Sequence, residues 1–210
     1  MKYAHTAVVV FDDHLIFAET FTLLLERINL FESVHTCTEE DALIHFMMNN
    51  HNKPVILFLD YYLKEGTALY LINELRRINK QIKIVVLSSV VNPVLIQNIL
   101  AHNLNGFISK SSGTDIILEC LRSVQKGEKY ICPYIRNIID NHSVTDNIKF
   151  TDREIYILQH FAQGLSIAET AEKTILSKHT IVAHRRKMMA KVHCKSITEL
   201  LAYARKTGLI

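Results

Sequence analysis

The sequence predicts a doubly wound α/β unit followed by a small all-α unit, and three observations carry that expectation. Through residue 126, short β-branched runs alternate with helix-length segments. In the same stretch, the acidic, hydroxyl and amine side chains with chemical potential stand just after the apolar runs. Beyond residue 150 the strand signals stop, Ser and Thr caps introduce helices, and the charge balance changes sign.

Thr6–Phe11, Val34–Cys37, Val55–Asp60, Ile82–Ser88 and Gly106–Ser109 read as strands, and their near-continuous apolar character implies burial on both faces. His14–Ile28, Glu39–Asn49, Thr67–Ile78, Pro93–His102 and Thr114–Gln125 supply the intervening helices. Five βα units in this order predict a five-stranded parallel sheet with helices on both sides, because parallel neighbours need crossover connections. Ligands in such sheets sit beyond the carboxyl ends of the strands. Asp12 and Asp13 follow the first strand, Asp60 and Ser88 close the third and fourth, and Lys110 follows the fifth.

Gly127, Pro133 and the polar run Asp140–Asn147 read as a partly ordered linker. The capping-box pattern then appears three times, as Thr151 with Glu154, Ser166 with Glu169, and Ser196 with Glu199. Ser177 offers a further N-cap, and Gly164 a C-terminal stop. Four helices result, and the domain boundaries are set at 1–127, 128–147 for the linker, and 148–210.

At 49% hydrophobic and 21% charged, the chain has the composition of a folded protein rather than a disordered one. The only apolar run near the N-terminus, Ala7–Phe11, meets Asp12 and Asp13 at once, which does not suit a secretory signal. No stretch approaches the roughly 18 apolar residues of a membrane span. Cys37, Cys120, Cys132 and Cys194 are scattered without Cys-x-x-Cys spacing, so reduced thiols and a cytoplasmic location are expected. Residues 1–149 hold 14 Lys/Arg against 16 Asp/Glu, whereas residues 150–210 hold 10 against 5. The second part is therefore the one suited to a polyanion.

Three carboxylates from two strand ends make a hard-oxygen site of the kind that holds Mg2+. Asp60 would serve as both ligand and nucleophile, with Lys110 as a compact positive charge and Ser88 as a hydroxyl donor to a phosphoryl oxygen. Each residue alone reads as an ordinary loop or surface residue; the set together points to phosphoryl transfer.

Asp12-Asp13-His14, Leu59-Asp60, Val86-Leu87-Ser88 and Gly106-Phe107-Ile108-Ser109-Lys110 resemble the receiver domain of bacterial response regulators, a flavodoxin-like fold, over residues 5–126. That resemblance implies that Asp60 is the phosphoacceptor and that Asp13 and Asp60 ligate Mg2+ with the backbone carbonyl of Tyr62, Asp12 acting through water. Ser88 and Phe107 would be the coupled switch positions. Lys64, Ala68 and Ser111 depart from the family's usual residues. Tyr62 and Val90 present neither amide nor carboxylate to an attacking water, which predicts slow self-dephosphorylation. A magnesium-dependent phosphatase would need a second acid two residues after Asp60, where Tyr62 stands; an assembly module that never uses phosphorylation is the other alternative.

Lys178–Lys195 contains six Lys or Arg residues and no acid. On a helix capped by Ser177, Ile181, Met188 and Val192 form one stripe, which displaces Val182, Ala183, Arg186 and Lys187 toward another face. Arg can pair with guanine and apolar groups with a thymine methyl, while flanking cations meet phosphates. Thr151-Asp-Arg-Glu154, Ala162-Gln-Gly-Leu-Ser166, Ala168-Glu169, Ala171-Glu172, Ser177, Thr180 and His184 resemble the four-helix LuxR-type helix-turn-helix domain. Receiver plus this domain resembles the NarL/FixJ class. The resemblance implies Val182, Ala183 and Arg186 at base edges, and Lys178, Thr180 and Lys187 are further candidate DNA contacts; Val182 and Arg185 depart from the family's usual residues, and Arg185 reads as a phosphate contact or as paired internally with Glu169 or Glu172. It further implies a sensor histidine kinase as donor, promoter DNA as target, a homodimer on that DNA, RNA polymerase as a further partner, and no turnover enzyme. Leu200, Leu201 and Tyr203 of the last helix are candidates for the dimer contact.

Overall fold

Parallel strands separated by helices dominate the first part of the chain in the computed structural model, which describes residues 3–63, 66–141, 150–207 and 209–210. The elements of the α/β unit are β1 (Tyr3–Phe11), α1 (Leu15–Ile28), β2 (Phe31–Cys37), α2 (Glu40–Asn49) and β3 (Val55–Asp60), then a short hairpin of β4 (Tyr62–Leu63) and β5 (Gly66–Thr67). They continue as α3 (Leu69–Ile78), β6 (Ile82–Ser88), α4 (Pro93–Leu100), β7 (Gly106–Ser109), α5 (Thr114–Gln125), β8 (Tyr130–Ile131) and α6 (Pro133–Asn141). The sheet order is β2-β1-β3-β6-β7-β8, all parallel. Every residue of β3 is buried, as a central strand covered on both faces requires.

Connections run outward from β1 toward β2 but in the opposite direction from β3 through β6 to β7. With right-handed crossovers, that reversal puts α1 on one face and α2 and α3 on the other. It also opens a crevice at the carboxyl ends of β1 and β3, where neighbouring connections diverge. Asp12, Asp13 and Asp60 stand there.

One expectation is corrected: the sheet has six strands rather than five, the sixth falling within the stretch 128–147 read as a partly ordered linker. Gly127, at φ 81°, turns the chain back from α5, after which Tyr130 and Ile131 pair with Gly106 and Phe107. Cys132 and Ile135 are fully buried and anchor α6. A two-residue strand between Gly127 and Pro133 is too short to show a period, so composition alone read it as a loop. The remainder of that stretch, 142–149, lies outside the described residues, as does Lys64. The β4–β5 hairpin was not foreseen either; it takes Thr67 from the expected helix, which begins at Leu69.

Gly106 illustrates close packing of α5 on the sheet: a Cβ there would stand 2.8 Å from the Cys120 sulfur and 3.1 Å from Val85. Cys37, Cys120, Cys132 and Cys194 are all free thiols.

The second unit consists of α7 (Asp152–Ala162), α8 (Ile167–Lys173), α9 (Lys178–Lys191) and α10 (Ile197–Lys206). Thr151 and Ser166 each form a full capping box with the Glu three residues on, and Ser177 accepts from the Thr180 N–H. At Ser196 only half of the box forms: its hydroxyl accepts from the Glu199 N–H, while the Glu199 carboxylate accepts from the Lys195 N–H. Ile181 and Met188 are fully buried and Val192 is half-buried, so the expected α9 stripe does face the core. Leu200 is also fully buried, which gives it to this core and removes it from the surface open to a partner; Leu201 and Tyr203 are half-buried.

Candidate functional site

Strand ends position the pocket. Asp12 and Asp60 are buried at the ends of β1 and β3, Ser88 is fully buried at the end of β6, and Lys110 follows β7. The backbone N–H of Lys110 donates to the Ser88 carbonyl at 3.0 Å, which extends the β6–β7 ladder and directs the lysine back over the crevice. Its ammonium lies 2.6 Å from Asp12 Oδ2 and 2.8 Å from Asp60 Oδ2, and 4.5 Å from the centre of the Phe17 ring. Asp12, Asp60, Ser88 and Lys110 therefore stand together at one edge of the sheet.

Charge in this pocket is unequally shared, since one ammonium serves two buried carboxylates. Burial pushes the Asp60 carboxyl up to about 6, and the neighbouring Asp12 charge adds to that, while the hydrogen bond and charge of Lys110 oppose it. Burial would lower the Lys110 pKa, but the hydrogen bonds it donates to Asp12 and Asp60, with their charges, outweigh it and hold the ammonium above its ordinary value. The lysine gains from both acids, whereas Asp60 has only part of one cation. A carboxylate in that position is poised to gain from a further positive charge.

The donor set fits a hard divalent cation. Ligand atoms of Asp12, Asp13, His14 and Asp60 all lie within 4.8 Å of one another. His14 is a member that the motif contained but to which the sequence reading gave no role. Its backbone N–H donates to Asp12 Oδ1 at 2.9 Å, and its Nδ1 stands 3.2 Å from the same oxygen and 2.9 Å from Asp13 Oδ1.

The switch positions Ser88 and Phe107 are both fully buried on adjacent strands. Ser88 Oγ accepts from the Val90 N–H at 3.2 Å, leaving its own proton to be directed elsewhere. Tyr62 is partly exposed, its ring set against Tyr61, and burial together with the Asp60 charge raises its phenol pKa. Val90 is buried. Neither side chain offers an amide or carboxylate.

In the helical unit, Lys178, Ala183, Arg186 and Lys187 of α9 are exposed, and Thr180, Val182 and Arg185 are half-buried. His179, Ala183, Arg186 and Ala190, all exposed, form a stripe at helical spacing opposite the buried Ile181 and Met188. The Thr180 hydroxyl meets Ser177 Oγ at 2.8 Å, which ties it to the helix start. Arg185 falls on the inner stripe, and its Nε is buried without a hydrogen-bond partner among the described residues.

Sequence reasoning also missed how α9 is fastened. Glu154 of α7, fully buried, accepts from Lys191 and lies 3.9 Å from Lys187, while it completes the cap at Thr151. Burial would raise its carboxyl, but the Lys191 hydrogen bond, the Thr151 N–H and the charges of Lys191 and Lys187 hold it below its ordinary value. The capping pattern marked Glu154, yet nothing in the pattern reports a lysine 37 residues away.

Comparison with known proteins agrees with this geometry. Residues 8–122 match the response regulator receiver domain, and residues 149–204 match the bacterial regulatory proteins of the luxR family. The chain is 27% identical to the oxygen regulatory protein NreC of Staphylococcus haemolyticus over 97% of its length and 98% of that protein's. It is 28% identical to NreC of Staphylococcus aureus with the same coverage. Among solved structures, a Salmonella typhimurium RcsB response regulator superposes with a TM-score of 0.74 at 24% identity, each chain covered to 99%. RcsB of Salmonella enterica serovar Typhimurium bound to promoter P1flhDC with phosphomimetic BeF3- gives 0.72 at 25% identity, covering 94% of this chain and 96% of the other. The chain belongs to the NarL/FixJ class of bacterial response regulators, with a receiver domain and a LuxR-type DNA-binding domain that serve transcription regulation.

Proposed function

We propose that Asp60 accepts a phosphoryl group from a sensor histidine kinase and that this input controls promoter binding through α9. The observation that carries the reading is the Lys110 ammonium shared between Asp12 and Asp60, at 2.6 and 2.8 Å, beside a third carboxylate. In the transfer, an Asp60 oxygen attacks phosphorus, the P–N bond of the donor phosphohistidine breaks, and the departing imidazole nitrogen takes a proton. Asp12, Asp13 and Asp60, with the backbone carbonyl of Tyr62, would hold Mg2+, which neutralises charge on the transferring group. Lys110 pairs with a phosphoryl oxygen once Asp60 carries the acyl phosphate, and the Ser88 hydroxyl turns to donate to another. Phe107, buried on the adjacent strand, shifts with it, and the population of DNA-competent receiver pairs rises.

Phosphate incorporation tests the first step. Full-level labelling of an Asp60→Asn variant by a small phosphodonor with Mg2+ would overturn the assignment.

On DNA, we assign Arg186, Ala183 and Val182 to base edges and Lys178, Thr180, Arg185 and Lys187 to phosphates, in a homodimer over paired half-sites. The outward stripe of α9 supports Arg186 and Ala183, and Val182 stands beside it, half-buried. Promoter engagement in the relatives' solved complexes supports the target class, and RNA polymerase is the further partner such a regulator would meet. We further read 1–127 and 148–210 as the functional domains, the location as cytoplasmic, and Asp60 as an input rather than a turnover catalyst. No described helix is long and apolar enough to cross a membrane. Slow loss of the phosphoryl group belongs to the same reading, since Tyr62 and Val90 cannot orient water by an amide or carboxylate.

A further inference from the structure

We infer that His14 is a nitrogen ligand of this chain's cation site, so that the pocket takes a divalent transition ion more strongly, relative to Mg2+, than its oxygens alone would. The inference rests on the reading of the pocket as a cation site and adds one residue and one metal class to it.

Geometry is the first support. Cis ligands on an octahedral ion with bonds of 2.0–2.1 Å lie about 3.0 Å apart. His14 Nδ1 stands 2.9 Å from Asp13 Oδ1, the separation expected along one edge of such an octahedron, and 3.2 Å from Asp12 Oδ1. Asp60 completes a group whose ligand atoms all fall within 4.8 Å.

The local backbone is the second. His14 is the N-cap of α1, but its side chain makes no cap hydrogen bond. The imidazole instead folds back over Asp12 and Asp13, and the His14 N–H to Asp12 Oδ1 bond fixes the residue in that attitude. Its side chain remains 71% exposed, so exchanging a carboxylate contact for a metal bond moves little else.

Imidazole favours transition ions, whereas carboxylate and water suit Mg2+. A plain imidazole–carboxylate hydrogen bond is the competing explanation of the same distances. Pulsed EPR of the full chain with one equivalent of Mn2+ separates the two. A 14N modulation that excess Mg2+ displaces, and that His14→Ala removes while Mn2+ stays bound, is the expected result. In parallel, the ratio of Mn2+ to Mg2+ affinity should fall about tenfold in His14→Ala. Bound Mn2+ without 14N modulation, or modulation unchanged in His14→Ala, would overturn the role of His14 and leave the cation site standing. Absence of any Mg2+-displaceable Mn2+ would remove the cation site itself, and this inference with it.

Discussion

The pocket around Asp60 and the outward face of α9 handle charge in opposite ways. In the pocket, two buried carboxylates share one ammonium, so each charge is felt strongly by the others. On α9, Lys178, Arg186 and Lys187 stand in solvent, where water and salt screen them. The buried set is suited to an all-or-none chemical event at one atom. The exposed set is suited to graded, salt-dependent attraction that single substitutions reduce only in part. Input and output thus differ in dielectric environment as well as in fold.

Asp60→Asn should produce the largest effect, complete loss of phosphoryl incorporation, read with a labelled small phosphodonor. The same variant breaks the comparison on the stability side. An acid whose pKa is raised on folding stabilises the fold below its ordinary range, and that contribution is lost as pH rises through about 6. At pH 7 and without metal, ionised Asp60 therefore opposes folding by up to about 3 kcal/mol. Asp60→Asn should raise the metal-free Tm at pH 7 and shrink that gain near pH 4; a lower Tm at pH 7 would contradict the charge assignment.

Glu154 carries the opposite sign. Its carboxyl is depressed on folding, so its contribution is present at neutral pH and is lost as pH falls below the ordinary glutamate range. Glu154→Ala should destabilise the helical unit by about 2–4 kcal/mol, because it removes the buried carboxylate partner of Lys191 and half of the Thr151 cap. Urea unfolding followed by helical CD reads this, and the difference should narrow at pH 3.

Smaller effects are expected on the exposed side. Arg186→Ala should cost about 1–3 kcal/mol of discrimination at one base position, measured against single-base variants of a bound duplex. Lys178→Ala should weaken all duplexes alike and reduce the salt slope by about 1. Should Lys178→Ala alter base preference instead, the division into base and phosphate contacts fails. The smallest effect belongs to Tyr62→Asn, which should shorten the phosphoryl lifetime several-fold by supplying an amide to orient water; an unchanged lifetime would remove Tyr62 from that role.

Legibility in the sequence follows the same division. The buried strands were readable because apolar runs such as Val55–Leu59 report burial directly, and the pocket was readable because topology places strand ends together. β8 was missed because two residues carry no period, and its place beside β7 comes from pairing with Gly106 and Phe107, which local sequence does not report. His14 stood in the motif, but its approach to Asp13 depends on a helix start that side-chain types do not encode. On α9, alternation of buried and exposed positions fixed the outer face, whereas the half-burial of Arg185 and the full burial of Leu200 come from tertiary packing that residue type does not report.

The most direct test of the central claim is DNA binding by the full chain, with and without beryllofluoride and Mg2+, across a salt series on a duplex enriched from a random pool. The account expects tighter specific binding in the beryllofluoride state and a steep negative slope of log affinity against log salt in both states. Superimposable curves with and without beryllofluoride would contradict control of α9 by Asp60.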